Sequence, residues 1–122
     1  MAKLSLRIDL DGGGRIGPGK IALLEKIAET GSISAAARAM SMSYKRGWDL
    51  VDETSRLIGR PVAVTRAGGA RGGGAKLTEA GRNLVHRYRA IEKAAAAAAE
   101  PHIAALFGEE RGRRPDACPT LR

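Results

Sequence analysis

Cysteine is nearly missing from this sequence. Cys118 is the only one in 122 residues, so no disulfide can close within the chain and no zinc site built from several cysteines is possible. That usage predicts a reducing, cytoplasmic setting. Long apolar runs are missing too. The opening stretch, MAKLSLRIDL, has no apolar signal-peptide core, and no segment approaches the ~20 apolar residues that span a membrane. A soluble chain without a membrane partner is expected. Histidine occurs only at His86 and His102, neither with a second histidine or a carboxylate at metal-ligand spacing. Asp49, Asp52 and Glu53 lie close together, but on the side of a helix expected to face water. Nothing forms a nucleophile, base and orienter set, so no enzyme activity and no metal or other cofactor are expected.

Two glycine-rich stretches imitate nucleotide loops without meeting their requirements. Residues 12–17, GGGRIG, follow a strand-like segment and formally match G-x-G-x-x-G. Pro18 and Gly19 come immediately after, and the chain is too short for a doubly wound sheet, so a plain loop is predicted. In the second stretch Lys76 follows Ala75 and precedes Leu77, which breaks the G-x-x-x-x-G-K-[ST] spacing.

What the chain does have is positive charge and a helical motif. Lys and Arg number 21 against 13 Asp and Glu, a net charge of +8. That excess favours a polyanionic partner, most simply nucleic acid, although a solvated basic surface carries the same charge. Residues 31–59 read as two helices joined by a very short turn. Gly31 ends what precedes, and Ser32 or Ser34 can cap a short helix bearing Ile33, Ala36, Ala37 and Met40. Ser43 caps a second helix, 43–58, with Gly47, Leu50, Val51, Thr54, Leu57 and Ile58 on one side and Lys45, Asp49, Asp52 and Arg56 opposite. The small residues Ala36, Ala37 and Gly47 suit two helices crossing closely. This is a helix-turn-helix pattern, whose second helix enters the DNA major groove by its N-terminal end. An ordinary corner between two helices is the alternative.

The flanks extend that pattern. Leu4, Leu6, Ile8 and Leu10 alternate with polar residues, as in a half-buried strand. Pro18 opens a helix over 20–30 with Ile21, Leu24, Ile27 and Ala28 buried. Beyond the motif, a strand from Val62 to Arg66, a glycine-rich loop over 67–75 and a return at Lys76 and Leu77 make a β-hairpin wing, or else a hairpin tip without a ligand. Thr78 caps a long helix, 79–100. Its Leu84, Tyr88, Ile91, Ala95 and Ala98 are spaced alternately four and three apart, forming a seam for a partner helix. The helix could instead fold back over Leu4, Leu6 and Ile8. Pro101 marks a kink or fresh start before Ile103, Leu106 and Phe107, and residues 109–122 form a basic tail expected to be disordered.

The order strand, helix, helix-turn-helix, wing and long helix resembles the winged helix of LysR-type regulators, and Leu77-Thr78-Glu79-Ala80-Gly81 is similar to their wing-to-helix junction. A closer resemblance lies in three stretches. These are Gly31-Ser32-Ile33-Ser34, then Ser43-Tyr44-Lys45 with Trp48-Asp49, and the glycine-rich run from Arg66 through Arg71 to Gly74. They look like the DNA-binding domain of ModE-type molybdate-dependent transcriptional regulators. The resemblance implies a mainly α fold with a small β wing, a winged helix-turn-helix with a long C-terminal dimerisation helix. It implies a dimeric regulator of transcription bound to double-stranded DNA. Expected organisation is a DNA-binding domain over 1–77, linker and dimerisation helices over 78–108, and the tail over 109–122. Expected DNA-contacting residues are Ser32, Ser34, Ser43, Tyr44, Lys45, Arg46, Arg66, Arg71 and Lys76. Expected dimer residues are Leu84, Tyr88, Ile91, Ala95 and Ala98. Regulators of that type carry C-terminal molybdate-binding modules, whereas this sequence closes on a short basic tail, so no molybdate site of its own is expected. A protein-docking module built on the same fold is the alternative function.

Overall fold

In a computed structural model of the chain, which describes residues 2–66 and 74–108, the elements are β1 (Ile8–Asp9), β2 (Arg15–Ile16), α1 (Pro18–Thr30), α2 (Ile33–Ala39), α3 (Tyr44–Ile58), β3 (Ala63–Arg66), β4 (Gly74–Leu77) and α4 (Glu79–Ile103). A π-helical turn, Ala104–Gly108, follows α4. Leu6–Arg89 make one compact unit, and the described residues 2–5 and 90–108 belong to a second.

Within the first unit the residues before α1 form a small antiparallel hairpin rather than a strand and a loop. Ile8 pairs with Ile16 and Asp9 with Arg15. The glycines turn the chain between them, with Leu10 N–H donating to the Gly14 carbonyl at 3.0 Å. The expected dinucleotide-loop mimic is thus a turn joining two strands. Leu4, Leu6, Ile8 and Leu10 are half-buried and their neighbours exposed, as the alternation requires.

Helix α1 lies between two apolar clusters and is buried on a wider arc than its sequence suggests. Leu23, Leu24 and Ile27 join Ile33, Ala36, Val51, Val62 and Leu77 in the larger cluster, while Ile21 joins Ile16 and Tyr88 in the smaller. Leu23 is therefore buried, and Ala28, expected inside, is exposed. Gly31 closes the helix in the left-handed region, its N–H bonded to the Ile27 carbonyl at 2.8 Å.

The wing is a two-stranded ladder pairing Ala63 with Leu77, Val64 with Lys76, Thr65 with Ala75 and Arg66 with Gly74. It is tied to the helices by Ala75 N–H, which donates to the Gly31 carbonyl at 2.8 Å. At its other end Thr78 makes two bonds. Its Oγ1 accepts from Gly81 N–H at 3.0 Å and donates to the Pro61 carbonyl at 2.6 Å. Gly81 is buried against the Val62 carbonyl, with no space for a Cβ. Only glycine lets α4 start this close to β3, which gives the Leu-Thr-Glu-Ala-Gly junction its physical meaning.

Two expectations about α4 are corrected. Leu84 and Tyr88, expected on a seam for a partner, pack inside the compact unit: Tyr88 is 1% exposed, and Leu84 and Val85 lie against both clusters. A stripe spaced four and three apart fits any apolar surface, and the hairpin and α1 supply one here. The compact unit accordingly runs past residue 77 to Arg89. Nor does the helix restart at Pro101, which lies inside α4. Pro101 withdraws the N–H that would face the Ala97 carbonyl and its ring crowds that carbonyl, and α4 ends two residues later, at Ile103. The expected tail, 109–122, lies outside the described residues.

Candidate nucleic-acid interface

Local chemistry sets the ends of both motif helices. Ser32 Oγ accepts from Ala35 N–H at 3.0 Å and Ser43 Oγ from Arg46 N–H at 3.0 Å, so each serine is an N-cap. Between the helices Ser41 takes a positive φ of 58°, and Met42 N–H returns to the Ala37 carbonyl at 2.9 Å. The helices meet at small residues: a Cβ added at Gly47 would stand 3.0 Å from that of Ala37. Gly47, Val51 and Thr54 face the core as expected, and the Thr54 hydroxyl donates to the Leu50 carbonyl at 2.7 Å.

The opposite side of α3 is charged and open to solvent. Lys45 is 82% exposed and only loosely paired with Asp49 at 3.5 Å, while Arg56 reaches Asp52 at 3.0 Å. Arg46 is exposed beside them. Tyr44 and Trp48, one turn apart, form an edge-on aromatic pair, and Trp48 Nε1 donates to the Tyr44 hydroxyl oxygen at 2.6 Å. Trp48 packs partly buried against the larger core cluster.

A concavity of about 640 Å³ separates α2 and the start of α3 from the wing. Of the expected DNA-contacting residues it brings together Ser32, Ser34, Tyr44 and Arg66. It also gathers Arg38, Trp48 and Thr65, which sequence reasoning did not place at the site. Arg38 follows Ser34 by four positions on α2, a spacing that puts both on one helical face and was readable in advance. Ser43, Lys45 and Arg46 lie on the exposed first turn of α3, outside the groove's walls. Lys76 is exposed on β4 opposite Val64. Arg71 lies outside the described residues. Of the expected dimer residues, Ile91 is 46% exposed, Ala98 is exposed and Ala95 half-buried. Among the described residues no three His, Cys, Asp or Glu side chains come together as a metal site. No described helix is long and apolar enough to cross a membrane.

A capped helix pair, a two-stranded wing tied to its entrance and a following long helix define a winged helix-turn-helix. Solved structures bear out that fold. The CbnR_DBD–DNA complex matches 73% of this chain and 97% of its own chain, with a TM-score of 0.56 at 21% identity. Full-length CbnR complexed with its target DNA matches 70% of this chain and 28% of its own, with a TM-score of 0.54. No family model matches the sequence. Among curated proteins, the molybdenum-pterin-binding protein MopB of Rhodobacter capsulatus is 50% identical over 80 residues, covering 66% of this chain and 30% of MopB. The molybdenum transport protein ModE of Azotobacter vinelandii is 44% identical over 92 residues, 75% of this chain and 33% of that protein. The DNA-binding transcriptional dual regulator ModE of Escherichia coli K12 is 41% identical over 71 residues, 58% of this chain and 27% of that protein. The chain thus spans about a third of the length of the curated relatives it matches. Over the matched stretch, the resemblance to ModE-type regulators holds.

Proposed function

We propose that the chain binds double-stranded DNA and regulates transcription as a ModE-type winged helix. The observation that carries this reading is the pairing of an exposed, cationic, Ser43-capped first turn of α3 with a groove leading to the wing. Lys45 and Arg46 are suited to guanine edges or phosphates in the major groove. Arg38, Arg66 and Lys76, with Ser32 and Ser34, are suited to the flanking backbone. The relatives' names, which include a DNA-binding transcriptional regulator, support the same reading.

The working form is a homodimer joined through α4 beyond Arg89, where Ile91 is exposed. Two-fold symmetry then places two recognition helices ~34 Å apart or at a multiple of it, on an inverted-repeat operator. A molybdate switch forms no part of this reading. The donor-rich groove is the DNA surface itself, so an oxyanion held there competes with DNA instead of regulating from a second site.

A salt titration of duplex binding tests the reading. Five cations on this surface, Arg38, Lys45, Arg46, Arg66 and Lys76, limit the log–log slope to about −4.5 per protomer, reached when each meets a phosphate. Salt-insensitive binding, or none, would favour a protein-docking module on the same fold.

A further inference from the structure

The bond from Trp48 Nε1 to the Tyr44 hydroxyl, 2.6 Å long, has a fixed direction. An indole N–H can only donate, so the Tyr44 oxygen accepts. The hydroxyl's own proton is then left for another acceptor, and accepting one bond polarises the O–H into a stronger donor. The two ends are held unequally. Trp48 is packed against the core, while Tyr44 is 55% exposed, its ring perpendicular to the indole with centroids 6.5 Å apart. Both rings line the groove between α2 and the wing, and the charged side chains in that lining are Arg38 and Arg66. A neutral donor sharing its groove with two arginines suits an anionic oxygen.

We infer that Tyr44 donates its hydroxyl proton to a non-bridging phosphate oxygen of a DNA backbone lying in this groove, and that Trp48 is the residue that positions it. This rests on the DNA-binding reading of the same surface. A phosphate contact adds affinity on any sequence. Because tyrosine is neutral, the contact leaves the salt slope, which counts cations, unchanged.

The test uses the full chain and two labelled probes: a 30-base-pair duplex of random sequence, and a duplex recovered from a random pool by the wild-type protein. Binding is measured for Tyr44→Phe, Trp48→Phe and the double variant, with circular dichroism confirming the fold of each. Tyr44→Phe should weaken both probes about tenfold, the scale of a hydrogen bond to a charged group, at constant salt slope. Trp48→Phe should weaken both severalfold when Tyr44 is present and change nothing further when Phe stands at 44. Replacing Trp48 by benzothienylalanine, which keeps the bicyclic shape without the N–H, should reproduce that pattern even if Trp48→Phe fails to fold. Equal losses in both backgrounds would show that Trp48 acts through packing, and would overturn the inference. Wild-type affinity in Tyr44→Phe would overturn it too, leaving DNA binding intact. A wild-type chain that recovers no duplex from the pool and does not bind the random-sequence probe would remove the parent reading as well.

Discussion

The hydroxyl of Tyr88 donates a 2.6 Å hydrogen bond to the backbone carbonyl of Leu6, 82 positions earlier in the chain. Tyr88 is thereby anchored at its tip, while its ring fills the space beside Ile16 and Ile21. Tyr88→Phe should cost ~0.5–1.5 kcal/mol, the net worth of one hydrogen bond. Tyr88→Ala should cost ~3–5 kcal/mol through the cavity it opens. Urea denaturation measures both. Equal losses in the two variants would mean that the ring contributes nothing.

Gly81→Ala should be among the most damaging single-methyl additions. Its Cβ would collide with the Val62 carbonyl oxygen, which also accepts from Thr78 N–H at 3.0 Å, so backbone must move to admit it. A loss of ~1–3 kcal/mol or more is expected. Gly19, in the first turn of α1 with nothing near its missing Cβ, is the control, and Gly19→Ala should gain ~0.5–1 kcal/mol. Thermal melts that rank the two the other way would contradict the described junction.

Acid should weaken the tie between α1 and α4. Arg89 grips Glu25 with two bonds, at 2.9 and 2.6 Å, and that hydrogen bonding lowers the Glu25 pKa against the opposing effect of burial. A carboxylate whose folded pKa is depressed stabilises above its unfolded value, about 4.3, and loses that contribution as pH falls through the folded value. Both side chains are 40% exposed, so solvent screening keeps the effect to about 1 kcal/mol or less. Stability measured from pH 6 down to pH 2.5 should fall less steeply in Glu25→Gln than in the wild type. Parallel curves would show that the pair is not responsible.

On DNA, the first turn of α3 and the wing should separate by kind of effect. Lys45→Ala or Arg46→Ala should cost ~1–3 kcal/mol of specific affinity wherever the side chain contacts a base edge. Arg66→Gln should weaken specific and random duplexes alike and reduce the salt slope by ~1. Wild-type affinity in both α3 variants would remove the proposed orientation. A loss confined to the cognate duplex in Arg66→Gln would make the wing a reader of bases.

Ile91→Glu should separate the proposed dimer into folded monomers. Ile91 is 46% exposed in one chain, so a carboxylate there costs a monomer little, whereas an unpaired one buried between two copies costs several kcal/mol. Sedimentation at tens of micromolar should show the wild type at twice the monomer mass and the variant at once that mass. Most specific binding should go with the second copy. A wild type that sediments as a monomer would sink the dimer.

The sequence by itself determined the parts whose physics is local. Ser43 caps the helix it begins and a serine at 32 or 34 caps the one before it, Gly31 and Gly59 end helices in the left-handed region, and Val62 to Arg66 with Lys76 and Leu77 show a wing, because these choices involve residues a few positions apart. The structure chose Ser32 over Ser34. The exposed cations Lys45 and Arg46 were legible for the same reason: the helical period fixes which side of α3 they occupy. Only the tertiary structure decided how far α1 is buried, that Arg15 and Ile16 pair with β1, and that Arg38 shares a groove with Arg66. It also turned Leu84 and Tyr88 inward. Their spacing records an apolar stripe without recording what covers it, and a partner helix and the chain's own hairpin satisfy the same period. Which of the two covers the stripe depends on contacts some eighty residues apart, and no local pattern holds that information.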